Sequence, residues 1–369
     1  MKKHLLCASV LLCSAASYAM ANSAPDLISV YRVAVQNDPK FKQALATRQE
    51  AEQSLPLAVA SLLPQINLTG TGTYDETSQN GSTRSFGVTT PINDTTKSKS
   101  LGFELQATQT IFNFTNWMQV ASANNSVKAA YATYTDAVQD LLQRVSKAYF
   151  DVLDAKDSLY YTVAAKKAFY RQYMQALESY KVGVKTITDV YNAKAAYDSA
   201  VSDYVTATNE LADRKEDLRA ITGVYFNKIA TLKRLPLIKP FPQNLNAWAG
   251  KSVKYNWGLV AAHYTVLSAK DDIKAAFGGH LPSLAFQGSF SNTYEKGINT
   301  NHKSRTKDLS GSLELTVPIF SGGQVTAQVK QSIAKYNLAS SQMEQTYRDV
   351  TNQARQAYLG VVSGISKVL

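Results

Sequence analysis

Three histidines, His263, His280 and His302, are the best metal ligands in the body of the chain, and no i to i+4 pair among them could grip a cation. His4, Cys7 and Cys13 all fall within the first 21 residues, so removal of that segment leaves no thiol. Disulfides, zinc–thiolate centres, cysteine nucleophiles and iron–sulfur clusters are thereby excluded. No G-x-S-x-G, phosphate loop or helix-opening G-x-G-x-x-G occurs, and Gly278-Gly279 and Gly322-Gly323 read as turns beside strands. Carboxylates are plentiful, yet those such as Glu216 and Asp217 sit with Arg219 on a helix face, the usual setting of solvated charge. The expectation is a protein that is not an enzyme and uses no cofactor or metal.

A different chemistry is open to polar residues that alternate with apolar ones, namely the lining of water. Ile66, Leu68, Gly70, Gly72 and Tyr74 alternate with Asn67, Thr69, Thr71 and Thr73, and Leu101, Phe103, Leu105 and Ala107 with Gly102, Glu104, Gln106 and Thr108. Leu284, Phe286, Gly288 and Phe290 alternate with Ala285, Gln287 and Ser289, and Leu309, Gly311, Leu313, Leu315 and Val317 with Ser310, Ser312, Glu314 and Thr316. These are four period-two strands. Strands of about 9–11 residues, apolar outward and polar inward, are the pattern of an outer-membrane barrel, whose lumen Asn67, Thr69, Thr71, Glu104, Gln106, Gln287, Ser312 and Glu314 would line. A half-buried soluble sheet alternates identically. The polar segments Asp75 to Ser100 and Asn292 to Asp308 read as external loops, and Tyr74, Phe112, Phe114, Trp117, Phe290, Tyr294 and Phe320 as interfacial aromatics. Four strands cannot close a barrel and an open edge is not tolerated in lipid, so oligomerisation is required; three copies would supply twelve strands.

The remainder is helical. No Gly or Pro occurs from Asn113 to Val182, and Val138, Leu141, Leu142, Val145, Tyr149, Val152 and Leu153 form one apolar stripe. Val184 to Thr222 continues in the same character, with only Gly183 between, which predicts a long antiparallel hairpin whose tip lies at Lys181 to Asp189. A coiled-coil hairpin would read the same way.

The N-terminus carries Lys2 and Lys3, an apolar run from Leu5 to Leu12, and Ala19-Met20-Ala21, the layout of a secretory signal peptide over residues 1–21. No later stretch approaches the length of a transmembrane helix. The net charge of +11 falls to +9 without Lys2 and Lys3, and because acids are interspersed among the bases, no nucleic-acid partner is expected.

The chain also repeats itself. Leu62-Leu63-Pro64-Gln65 recurs as His280-Leu281-Pro282-Ser283, Ile111-Phe112 as Ile319-Phe320 and Ala148-Tyr149 as Ala357-Tyr358, at offsets of 218, 208 and 209. Two repeats follow, 22–223 and 251–369, around a Pro-containing linker at 224–250. Only 11 residues follow Tyr358, against 74 from Tyr149 to Gly223, so the second repeat reads as incomplete.

Ala148-Tyr149-Phe150-Asp151-Val152-Leu153, Tyr170-Arg171-Gln172, Val182-Gly183-Val184, Ile187-Thr188-Asp189-Val190, Asn192-Ala193 and Ile221-Thr222-Gly223 resemble the TolC-type outer-membrane efflux family in order and spacing, as do Leu62-Leu63-Pro64-Gln65, Gly279-His280-Leu281-Pro282 and Gln328-Val329-Lys330-Gln331. The resemblance implies an α+β fold: a homotrimer with a twelve-stranded outer-membrane β-barrel, four strands per protomer, continued by a long antiparallel α-helical tunnel in the periplasm. It implies a passive export duct in tripartite efflux or type I secretion, with outer-membrane lipid, a periplasmic adaptor and an inner-membrane pump as partners. Val182, Gly183 and Val184 match the family's adaptor-contact tip. Thr188 and Asp189 match gate positions whose partners, like the family's acidic constriction, belong to a second hairpin that this chain does not carry. A secreted or periplasmic coiled-coil scaffold without a pore is the alternative reading of the same elements.

Overall fold

The computed structural model describes residues 24–232, 238–299 and 301–368; the predicted signal peptide lies outside them. In chain order the elements are α1 (Leu27–Asn37), α2 (Pro39–Glu52), α3 (Ser54–Ala60), β1 (Gln65–Ser85), β2 (Val88–Phe112), α4 (Phe114–Lys181), α5 (Ile187–Thr222), α6 (Leu245–Tyr255), α7 (Trp257–Phe277), β3 (Ser283–Gly297), β4 (Lys303–Thr316) and α8 (Gln324–Val368). Helix α6 begins inside the stretch read as linker. The chain divides into two compact units, and neither coincides with a sequence repeat.

One unit comprises the chain up to Ala46, Tyr134–Gln243 and the chain from Leu359. Of the α4 stripe predicted from spacing, Leu141, Val145, Tyr149, Val152 and Leu153 are buried here against Val30 and Ala34 of α1, Phe41 of α2, Leu218 of α5 and Ile229, and Val138 is partly buried; Leu142 instead turns outward, 49% exposed. Tyr149 takes its phenol into this core because its hydroxyl donates to the Ala230 carbonyl at 2.6 Å. Asp38 joins α1 to α2. Its N–H donates to Ala34 O at 2.8 Å, its carboxylate accepts from the Phe41 N–H at 3.3 Å, and Pro39 occupies the first helical position, where a missing N–H costs nothing. The same carboxylate, 4% exposed, receives Arg144 Nη2 at 2.6 Å. Arg144 Nε reaches Asp140 at 2.8 Å, and Lys40 Nζ reaches Asp140 at 3.0 Å.

This network is expected to make the unit acid-sensitive. Burial acts against the charged form of Asp140, but hydrogen bonds from Lys40 and Arg144 outweigh it and hold the carboxyl below its ordinary value. A depressed native pKa contributes stability that is whole above the unfolded value of about 3.9 and is lost as pH falls through the native one. The thermal midpoint, followed by helical circular dichroism in detergent, is expected to fall more steeply between pH 5 and pH 3 in the native chain than in Asp140→Asn. Parallel pH curves would remove Asp140 from the account.

The other unit, Thr47–Thr133 with Asn244–Tyr358, holds the sheet, an antiparallel meander in the order β1-β2-β3-β4. The two repeats meet where β2 pairs with β3, Leu105 opposite Phe290. Helices α4 and α7 approach through small polar residues. Ser122 Oγ and Ser126 Oγ each lie 2.9 Å from Ser268 Oγ, and Asn125 Nδ2 donates to Asp271 at 2.9 Å.

The strands are longer than the 9–11 residues expected: 21, 25, 15 and 14. Pairing does not stop where the apolar pattern stops. The segment read as a loop from Asp75 to Ser100 is a ladder that runs to Ser85 opposite Val88, closed by Phe86 at φ 48° and Gly87 at φ 82°. Positive φ at both central residues matches the right-handed twist of a two-residue hairpin, and the threonines of this segment suit extended backbone without any apolar face. Phe290 also departs from expectation, lying within the apolar band opposite Leu105 and Leu309 rather than at a strand end.

Candidate functional site

Register decides which side chains share a face, because paired residues project to the same side and neighbours along a strand to opposite sides. Asn67 pairs with Gln106 and Gln106 with Ser289; Thr69 pairs with Glu104 and Glu104 with Ser291. Thr71 pairs with Gly102, Gln287 with Ser312, and Glu314 with Ala285. All eight residues predicted for the lumen therefore lie on one face of the sheet. On that face Gln287 Nε2 donates to Glu314 at 2.6 Å, and the Ser289 and Ser310 hydroxyls are 2.8 Å apart.

The pairing also reveals members that the sequence reading missed. Asp308 pairs with Ser291 and so joins the row of Thr69 and Glu104; Glu295 pairs with Ser100, Asp75 with Ser98, and Asp94 with Gln79. The polar face carries six carboxylates, Asp75, Asp94, Glu104, Glu295, Asp308 and Glu314, and no Lys or Arg among the described residues. The opposite face carries seven bases, Arg84, Lys97, Lys99, Lys296, Lys303, Arg305 and Lys307, and one acid, Glu76, which pairs with Lys97 at 3.0 Å. The signal was available in the alternation, but it lay in segments read as loops.

That opposite face is also the apolar one, and the chain leaves it bare. Leu68 is 71% exposed, Leu101 70% and Leu309 84%. Each of the two outer strands pairs on one side only. A two-faced sheet with an uncovered apolar surface and open edges is not a stable state in water. No helix among the described residues is long and apolar enough to cross a membrane.

The second predicted site is the turn between α4 and α5. The Gly183 N–H donates to Tyr180 O and the Val184 N–H to Ser179 O, both at 2.9 Å, with Gly183 at φ 79°. This is a Schellman C-cap, whose left-handed position favours glycine. Just beyond it, Thr186 caps α5. The Asp189 N–H donates to Thr186 Oγ1 at 3.3 Å, and the Asp189 carboxylate accepts the Thr186 N–H at 2.9 Å, a reciprocal capping box. Those bonds from the Thr186 backbone and hydroxyl hold the Asp189 carboxyl below its usual range. Val182 and Val184, 74% and 76% exposed, and Thr188 present outward around this turn. Antiparallel packing behind it is set by aromatic contacts: Tyr173 stacks on Tyr197 with centroids 6.3 Å apart, and Lys166 Nζ sits 3.6 Å from the centre of the Tyr204 ring.

His263 and His280 meet neighbouring aromatic rings, Tyr264 and Phe277. Among the described residues no group of three or more His, Asp or Glu is placed to hold a metal ion.

Residues 30–224 and 251–365 match the model of the outer membrane efflux protein family. The chain is 34% identical over 366 residues to the outer membrane protein TolC of Escherichia coli, covering 96% of this chain and 71% of that one. It is 23% identical to the proteases secretion protein PrtF of Dickeya chrysanthemi, covering 93% of this chain and 74% of that one. Among solved structures the Campylobacter jejuni CmeC outer membrane channel shares the fold with a TM-score of 0.72 at 18% identity, over 90% of this chain and 70% of that one. Sorted strand faces, long helices and these likenesses converge: the chain belongs to the outer membrane efflux protein family and is an outer-membrane channel for efflux and type I secretion.

Proposed function

We propose that three copies of this chain pool their strands into one twelve-stranded barrel, apolar face to lipid and carboxylate face to water, and that the α4–α5 hairpins line an export duct on the periplasmic side. Residues 1–21 would direct export. Asn67, Thr69, Thr71, Glu104, Gln106, Gln287, Ser312 and Glu314 line the water-filled lumen in this reading. Val182, Gly183 and Val184 offer a small apolar contact for a periplasmic adaptor, which connects the duct to an inner-membrane pump, and Thr188 and Asp189 lie beside it at the periplasmic entrance. The duct needs no chemistry of its own, because the pump supplies the work and the lumen only conducts.

The observation that carries this reading is the bare, charge-sorted sheet with two open edges. Joining the β4 edge of one protomer to the β1 edge of the next satisfies the unpaired backbone groups and buries none of the lumen carboxylates. A lumen that carries six acids per protomer and no base among the described residues draws cations and repels anions. Purified protein is expected to run as heat-sensitive trimers and, in a planar bilayer, to give cation-selective conductance, with selectivity reduced by Glu104→Gln combined with Asp308→Asn. A soluble monomer without conductance would overturn the proposal.

A further inference from the structure

The seven bases on the lipid-facing side are not scattered along it. Following the register away from the helices, the row Leu68, Leu105, Phe290, Leu309 is wholly apolar. The next row ends in Lys307 and the one beyond it in Arg305, beside Tyr294. The third row is Tyr74, Lys99, Lys296 and Lys303. Here lysine lies directly opposite lysine twice in succession, an arrangement that costs free energy in a sheet because like charges at cross-strand distance repel. Lys99, Lys296, Lys303 and Lys307 are exposed and have no carboxylate partner among the described residues; the only acid on this face, Glu76, is taken by Lys97. Arg305 Nε is held by the Asn292 side chain at 3.2 Å, which fixes its guanidinium toward the same surface.

Three independent features thus coincide at one level: the end of the apolar band, tyrosines at its rim, and a cluster of cations that repel one another unless an anion sits between them. The helices leave from the opposite end of the strands, at Gln65, Phe112, Ser283 and Thr316, so this level is the outer interface if the barrel reading above holds, and the inference rests on that reading. We propose that Lys99, Lys296, Lys303, Arg305 and Lys307 form a binding surface for the phosphate groups of an outer-leaflet glycolipid, a lipid whose phosphates lie next to its acyl chains. The acyl chains would lie along Leu101, Phe103, Leu105 and Leu309 while the phosphates bridge the lysine row. A free phosphate ion satisfies only the charge, whereas the lipid uses the charge and the adjacent apolar band together.

The test uses the full chain inserted in phosphatidylcholine vesicles that contain lipid A, extracted into mild detergent, with retained lipid A counted by native mass spectrometry. Retention is expected to fall at least about tenfold in Lys99→Gln/Lys296→Gln/Lys303→Gln, since each cation near an anionic surface contributes on the order of a factor of five. Dephosphorylated lipid A should be retained as poorly by the native chain. The control Lys194→Gln/Lys330→Gln/Lys335→Gln, which removes the same charge from helix positions, should retain lipid A normally. Equal retention by the native chain and the strand variant, with heat-sensitive trimers formed by both, would overturn the inference while leaving the barrel standing. Displacement of lipid A by inorganic phosphate at equal phosphorus would also overturn it, by showing that the cluster recognises the bare ion. Absence of trimers in the native chain would refute the barrel reading itself.

Discussion

Leu68→Arg is expected to abolish heat-sensitive trimers and outer-membrane recovery, while Thr69→Arg, at the next position of the same strand, is expected to leave both in place. Leu68 pairs with Leu105 in the middle of the apolar band, and at 71% exposure it has little packing within its own protomer to lose. The cost of the substitution therefore comes from lipid. A cation on the outside of a barrel at mid-depth costs roughly 2–4 kcal/mol, and a trimer carries it three times, so roughly 6–12 kcal/mol opposes assembly. Thr69 pairs with Glu104 on the polar face, where an added arginine meets carboxylates and water. Comparison of boiled and unboiled outer-membrane fractions on a gel reads both variants at once. Trimers at native abundance in Leu68→Arg would mean that the two faces have been assigned the wrong way round.

The second large effect is expected from Asp38→Ala. This one carboxylate caps the start of α2 and accepts the Arg144 guanidinium at 2.6 Å while almost fully buried. Removing it takes from the partly buried Arg144 one of its two carboxylate partners, leaving Asp140, and takes away a helix cap, for an expected loss of about 2–4 kcal/mol. Thermal unfolding and susceptibility to limited proteolysis near Asn37 should both report it. Asp38→Ala/Arg144→Met is expected to recover part of the loss, because the apolar side chain carries no desolvation cost and Asp140 keeps Lys40 as a partner. If the double variant is no more stable than Asp38→Ala, the effect belongs to the cap alone.

The parts of this molecule that were legible beforehand are those governed by short-range period. Asn67 to Tyr74 and Glu104 to Thr108 alternate so regularly that their face could be assigned without partners, and the α4 stripe from Leu141 to Leu153 needed only helical spacing. The segment from Asp75 to Ser100 was read as a loop for a physical reason. Both of its faces are largely polar, so a strand there has almost no hydrophobic contrast, and its extension depends on pairing across the Phe86–Gly87 turn. The polar-face acids Glu295 and Asp308 lie in the second such segment, from Asn292 to Asp308, and escape notice for the same reason. The division into two units was hidden too, since it depends on β2 meeting β3, segments far apart in the chain that carry no local sign of each other. Asp189 shows a subtler case: Thr186-x-x-Asp189 is a capping pattern legible in the sequence, and the capping box it forms is independent of the gate position that the family resemblance implies.

The turn from Val182 to Thr186 is tied off at both ends, by the αL cap at Gly183 and by the reciprocal bonds between Thr186 and Asp189. Its residues are therefore already committed to one conformation before any partner arrives. A partner that docks there does not have to freeze a wandering loop, and escapes an ordering penalty of about 0.5–1.5 kcal/mol for each side chain that would otherwise be immobilised. A contact as small as two valines would then lose less of its free energy to ordering than the same contact on a flexible loop.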